Sequence, residues 1–141
     1  MYLDSCYIAK FYLNEPDSPR VREAISGAST LLSSMWAIGE VTCAFHRHLR
    51  DGTLSAYQYG ELMAAFLDHT RDGIWTFIPV TERLLRKTAN LVNSLPPSTY
   101  IRTADALHLT TVLDLGEREI WTSDRHVLSA AVHFGLIGRS A

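Results

Sequence analysis

Cysteine is scarce in this 141-residue chain: only Cys6 and Cys43 occur, far apart. That excludes a secreted disulfide framework, a thiolate zinc site and a thioredoxin-type pair, which need short paired spacings, and it fits a reducing cytoplasm. No run of roughly 18 apolar residues is present, so no membrane span is expected. Asp4 and Lys10 interrupt the first apolar residues, which reads against a secretory signal. Neither sign of charge dominates, with 13 Lys and Arg against 15 Asp and Glu and a pI of about 6.3. A globally basic nucleic-acid binder is therefore excluded, and any nucleic-acid contact must be a local patch, for which Lys10, Arg47, Arg50, Arg102 and Arg125 are candidates. The six histidines (His46, His48, His69, His108, His126 and His133) show no metal-binding spacing and read as surface or helix-packing residues, with His108 alone near the acids discussed below. Internal repeats, low-complexity segments and linkers are absent. One domain over residues 1–141 is expected, and a domain of that size buries about 68–70% of its unfolded surface without a metal or disulfide staple.

What the chain does have is alternation of short apolar strands with longer stretches of helical period. Tyr2-Leu3 is a very short strand that stops at Asp4, and Cys6, Ile8, Ala9, Phe11, Tyr12 and Leu13 follow at helical spacing. Asp17-Ser18-Pro19 reads as a helix start with a capping acid or hydroxyl, and Val21, Ala24 and Ile25 supply its inner face. Residues 30–34 are a strand candidate, and 36–49 a helix that stops at Asp51-Gly52. Ser55 and Gln58 form a capping pair for a helix to Arg71; residues 74–78 make the clearest strand, closed by Pro79. Helices are predicted over 81–95 and 101–113, a strand over 119–122, and a last helix to Gly135. Strands separated by helices, without tight hairpin signals, predict a three-layer α/β/α sandwich around a central, mostly parallel sheet of four to five strands.

Asp105 is the misfit. At spacings of four and seven residues it shares a helical face with Ile101, Leu109 and Val112, a stripe that should point inward. A carboxylate taken out of water costs several kcal/mol unless it is neutralised, hydrogen-bonded or bound to a cation. Three further acids fall where an open parallel sheet binds ligands, outside the carboxyl ends of its strands. Asp4 ends the first strand, Asp124 follows the last, and Glu40 lies on the helix after the second strand, among Trp36, Ala37, Cys43 and Ala44. Each acid also has a plain reading. Asp4 and Asp124 can be helix N-caps, Glu40 can reach solvent along its stem, and Asp105 can pair with Arg102 three residues away. As a converging set, four carboxylates need a counter-charge, and hard oxygen ligands favour Mg²⁺ or Mn²⁺, ions suited to phosphodiester chemistry. The competing classes are a non-catalytic module that holds a partner's basic side chain and another Mg²⁺-dependent phosphate hydrolase. An aspartyl phosphatase is disfavoured by Cys6, which stands where a second acid is wanted, and a receiver domain by Asp124 in place of a lysine.

The segments Tyr2-Leu3-Asp4-Ser5, Glu40, Arg102-Thr103-Ala104-Asp105-Ala106-Leu107-His108-Leu109 and Trp121-Thr122-Ser123-Asp124-Arg125 resemble, in order, the four acidic motifs of PIN domains. They are most similar to those of the VapC toxins of prokaryotic toxin–antitoxin pairs. The resemblance covers essentially the whole chain and is most specific in Asp105-Ala106-Leu107-His108-Leu109. It implies a cytoplasmic, Mg²⁺-dependent endoribonuclease acting on structured RNA such as transfer or ribosomal RNA, with Mn²⁺ able to substitute. It further implies a homodimer held in check by a VapB-type antitoxin, which carries any DNA contact. On that resemblance Asp4 and Asp105 are the principal metal ligands, Glu40 and Asp124 complete the pocket directly or through water, and Arg102, Ser5, Ser123 and Arg125 are candidates for phosphate or substrate contacts. The first strand is slightly short for the family.

Overall fold

A strand of only two residues lies at the centre of the sheet. In the computed structural model, which describes Met1–Ala141, β1 (Tyr2–Leu3) is flanked by β2 (Leu31–Ser34) and β4 (Glu119–Trp121). β3 (Trp75–Ile78) and β5 (Ile137–Arg139) form the edges, giving the order β3-β2-β1-β4-β5 with every pairing parallel. Successive strand side chains point to opposite faces. Leu3 therefore enters one core, with Tyr7, Ile8, Val41, Phe45 and Phe66, while Tyr2 enters the other, with Ala106, Leu109, Val112, Ile120 and Val127. Helices α1 (Ser5–Tyr12), α2 (Ser18–Ser26), α3 (Ala37–Arg50) and α4 (Ala56–Arg71) build the first core; α5 (Glu82–Asn93), α6 (Thr103–Asp114) and α7 (Arg125–Ala131) build the second. This is the expected three-layer sandwich. No helix is long and apolar enough to cross a membrane.

The chain leaves β1 toward β2 and β3, then crosses back to β4 and β5 on the other side. The order reverses between β1 and β4, where the carboxyl ends of two adjacent strands face a crevice that neither crossover covers. Asp4 and Thr122 sit at those two ends, tied by the Asp4 N–H donating to the Trp121 carbonyl at 3.0 Å.

Local chemistry explains most boundaries. Ser55 and Gln58 exchange the two hydrogen bonds of a capping box at 3.1 and 2.9 Å. Helix α6 ends as the Glu117 N–H reaches the Val112 carbonyl and the Gly116 N–H reaches Leu113, a turn that needs the left-handed φ of +74° at Gly116. Three details differ from the sequence reading. Asp17 does not cap α2, because its carboxylate is drawn to Lys10. The inward stripe of α6 is burial all round from Asp105 to Val112, since the helix lies between α5 and the sheet; Thr110 and Thr111 satisfy their hydroxyls on carbonyls one turn back at 2.7 Å. The segment after α7 is a 3-10 turn (Val132–Phe134) followed by β5, whose Gly138 lets α7 approach: a Cβ there would meet the Cα of Leu128 at 3.2 Å.

Candidate active site

Asp4 follows β1 in extended conformation and is 7% exposed. It is not a side-chain cap; its Oδ2 accepts the Thr122 hydroxyl at 2.7 Å and the Cys6 thiol at 3.4 Å, and its Oδ1 accepts the Ser5 hydroxyl at 3.2 Å. Thr122, fully buried just past β4, also accepts the Asp124 N–H at 2.9 Å. One hydroxyl thus fixes the first acid and the loop that bears the last. Cys6 is half-buried beside Asp4, and desolvation together with that negative charge pushes its thiol far above the ordinary range, so it acts as a packed hydrogen-bonding group rather than a thiolate.

Glu40, one turn into α3, reaches across to His108 on α6. The His108 ring is 1% exposed; its Nε2 lies 2.8 Å from Glu40 Oε2 and 3.7 Å from Asp4 Oδ1, and its Nδ1 lies 2.9 Å from the Tyr2 hydroxyl. Two acceptor carboxylates facing Nε2 place a hydrogen there. Burial opposes the charged ring, but the Glu40 hydrogen bond and the charges of Asp4, Glu40 and Asp105 outweigh it and hold the imidazole pKa above its ordinary value. His108 is therefore neither a surface residue nor simple helix packing: fully buried, it backs the Glu40 and Asp4 carboxylates from behind.

Asp105, 8% exposed, faces Arg102. Its Oδ2 accepts Arg102 Nε at 2.8 Å and the Arg102 backbone N–H at 3.3 Å, while its Oδ1 accepts Nη2 at 3.2 Å. The same Nη2 donates to Asp124 Oδ2 at 2.5 Å, and Asp124 Oδ1 accepts the His126 N–H at 2.7 Å as a true N-cap of α7. Donating hydrogen bonds to Asp105 and Asp124 raises the guanidinium pKa further. Burial would raise the Asp124 pKa, but the His126 N–H and Arg102 hold it below the ordinary carboxylate range.

All four expected acids line a single cavity of about 540 Å³, together with Ser5, Cys6, Lys10, Glu15, Arg47 and Arg102. Five carboxylates face three cations there, and Lys10 is already paired with Asp17 and Glu15. Ser123 and Arg125 lie outside it. The Ser123 hydroxyl turns to Asp17 at 3.2 Å, and Arg125 is exposed at the start of α7.

Ligand atoms of Asp4, Glu40 and His108 lie within 4.8 Å of one another. Because His108 Nε2 directs its hydrogen at the two acids, the donors left for a cation are carboxylate oxygens. Glu40 Oε1 accepts no hydrogen bond, and Asp4 Oδ1 has only the long contact from Ser5 and the distant His108. A hard cation such as Mg²⁺ or Mn²⁺ fits that donor set, and a thiophilic one does not.

Sequence reasoning did not single out His108 or Thr122 as site residues. The signals present were the inward position of His108 one turn from Asp105 and the place of Thr122 at a strand end, two residues before Asp124.

No curated protein sequence matches the chain significantly. Among solved structures its fold is similar to that of VapC20 from Mycobacterium tuberculosis, a toxin described as cleaving the sarcin–ricin loop. The TM-score is 0.72 at 11% identity, over 92% of this chain and 93% of that one. The family model for the PIN domain matches residues 1–132, which takes in all four acids and the elements that carry them, so the chain belongs to the PIN domain family.

Proposed function

We propose that this protein is a metal-dependent endoribonuclease of the VapC toxin kind, acting on structured RNA and restrained by a VapB-type antitoxin. The observation that carries the reading is the convergence of Asp4, Glu40, Asp105 and Asp124, from four separate segments, on one open cavity at the sheet's switch point. Membership of the PIN family and the likeness of fold to a toxin described as cleaving the sarcin–ricin loop support it.

In this reading Asp4 and Glu40, rather than the expected pair Asp4 and Asp105, hold Mg²⁺ or Mn²⁺, because both Asp105 oxygens are taken by the Arg102 guanidinium; Asp105 and Asp124 complete the pocket. An ion bound there would supply a water of lowered pKa for attack on phosphorus and would offset charge on the phosphate. The protein's own groups do the positioning. Thr122 and Ser5 fix the Asp4 carboxylate, and His108, backed by the Tyr2 hydroxyl, fixes Glu40. Such outer contacts set ligand orientation and typically change metal affinity or activity by about 10- to 100-fold when lost. Arg47 lines the cavity without an ion pair and is placed to meet an RNA phosphate.

The test is cleavage of total cellular RNA by purified chain free of antitoxin, with Mg²⁺ or Mn²⁺, and its arrest by EDTA. Asp4→Asn and Asp105→Asn should each reduce cleavage at least about 100-fold while the far-UV circular dichroism stays native. Cleavage that survives either substitution refutes the site. A wild type that cuts no RNA but retains a basic peptide in this pocket supports a binding module instead.

A further inference from the structure

The acidic cavity has two unequal halves. At the Asp4–Glu40 end one oxygen of each carboxylate is free or weakly engaged. At the Asp105–Asp124 end none is: three of the four oxygens contact the Arg102 guanidinium at 2.5 to 3.2 Å, and the fourth accepts the His126 N–H. A guanidinium is always charged, and its planar fork matches two carboxylates at once. Being fixed three residues from Asp105, it is always at hand, as a free ion is not. Its side chain is about half exposed, at 52%, so nothing encloses it and departure is sterically open.

Resting on the metal reading proposed above, we infer that Arg102 is the resident counter-cation of the Asp105–Asp124 half, so that the pocket takes up one divalent ion, at the Asp4–Glu40 end, while the guanidinium remains. No other cation lining the cavity fills this role. Lys10 is held by Asp17 and Glu15, and Arg47 makes no ion pair. A second ion can reach Asp105 and Asp124 only by displacing Arg102.

The test counts bound Mn²⁺ per chain by electron paramagnetic resonance during titration, with thermal melting of the same samples. Wild type is expected to bind one ion, and Arg102→Gln two. Arg102→Lys keeps the charge but loses the fork, and should take the second ion at a Mn²⁺ concentration between those of wild type and Arg102→Gln. Melting temperature should rise more with Mn²⁺ in Arg102→Gln than in wild type, because two mutually repelling carboxylates gain a partner. If Arg102→Gln folds only with metal, the Arg102→Lys titration carries the comparison alone. One ion in all three proteins, or two in wild type, overturns the inference and leaves the metal reading standing. No ion in any of them overturns both.

Discussion

Replacing His108 by leucine removes the ring between Tyr2 and Glu40 while nearly conserving volume, so the loss is polar rather than a cavity. The hydrogen bond to the Glu40 carboxylate, 2.8 Å long and set on a fully buried ring, is of the charged class worth about 1.5–3 kcal/mol. The low end applies because the Glu40 side chain keeps 27% of its exposure and water can replace the imidazole there. The Tyr2 hydroxyl, 2.9 Å from Nδ1 in a residue 1% exposed, loses a partner at a further cost of about 1 kcal/mol. Together these predict about 2.5 kcal/mol of destabilisation, or a drop of roughly 10 °C in melting temperature for a domain of this size. Differential scanning calorimetry of wild type and His108→Leu measures it. Tyr2→Phe, which removes only the outer bond, should lose about a third as much. In metal titrations His108→Leu should also bind Mn²⁺ about 10-fold more weakly, since Glu40 is no longer held. A melting temperature within about 2 °C of wild type, with unchanged Mn²⁺ affinity, would refute the claim that this histidine orders the site.

Thr122→Val deletes the hydroxyl that binds Asp4 Oδ2 and accepts the Asp124 N–H; Mn²⁺ affinity by calorimetry should fall about 10- to 100-fold. Arg47→Ala should leave the melting temperature unchanged but weaken RNA binding and reduce the slope of log affinity against log salt by about one, read by filter binding with uncleavable RNA. Asp114 is held at a pKa of about 2 by Arg83 and then Lys87. A depressed carboxylate pKa contributes stability that is present above the unfolded value near 4 and lost as pH falls through about 2. Because Arg83 is largely solvent-exposed, we expect about 1 kcal/mol rather than the full shift, and urea melts of Asp114→Asn should lack that part of the acid loss.

The strand–helix alternation was legible because each core-facing segment carries its own period. The three-layer order follows once no hairpin turn is available to pair neighbours antiparallel. β5 escaped individual assignment because Ile137-Gly138-Arg139 is a three-residue edge strand with no alternation, and its glycine is explained only by the approach of Leu128 from α7. The stripe on α6 was read correctly as inward but understated the burial, for a related reason. Amphipathic reading assumes one wet face, and a helix packed between α5 and the sheet has none from Asp105 to Val112.

Within the site, the four acids could be read because each sits at a strand end or on an inward helix face. The partners that orient them could not, being separated from them by 68 residues for His108 and Glu40 and by 118 for Thr122 and Asp4. Asp105 shows how a local reading can be correct and still insufficient. Its pairing with Arg102 at a spacing of three is the plain alternative visible in the sequence, and on a solvated helix such a pair contributes only a few tenths of a kcal/mol. Here the carboxylate is nearly buried, and the same guanidinium also binds Asp124, 22 residues away on another element. A helix pair that bridges to a third acid is no longer a surface ornament of its own helix. It neutralises two acids that would otherwise repel across the cavity, the task first assigned to a metal ion. The salt bridge and the acidic pocket are therefore one arrangement, and Arg102 decides how much of it is left for a cation.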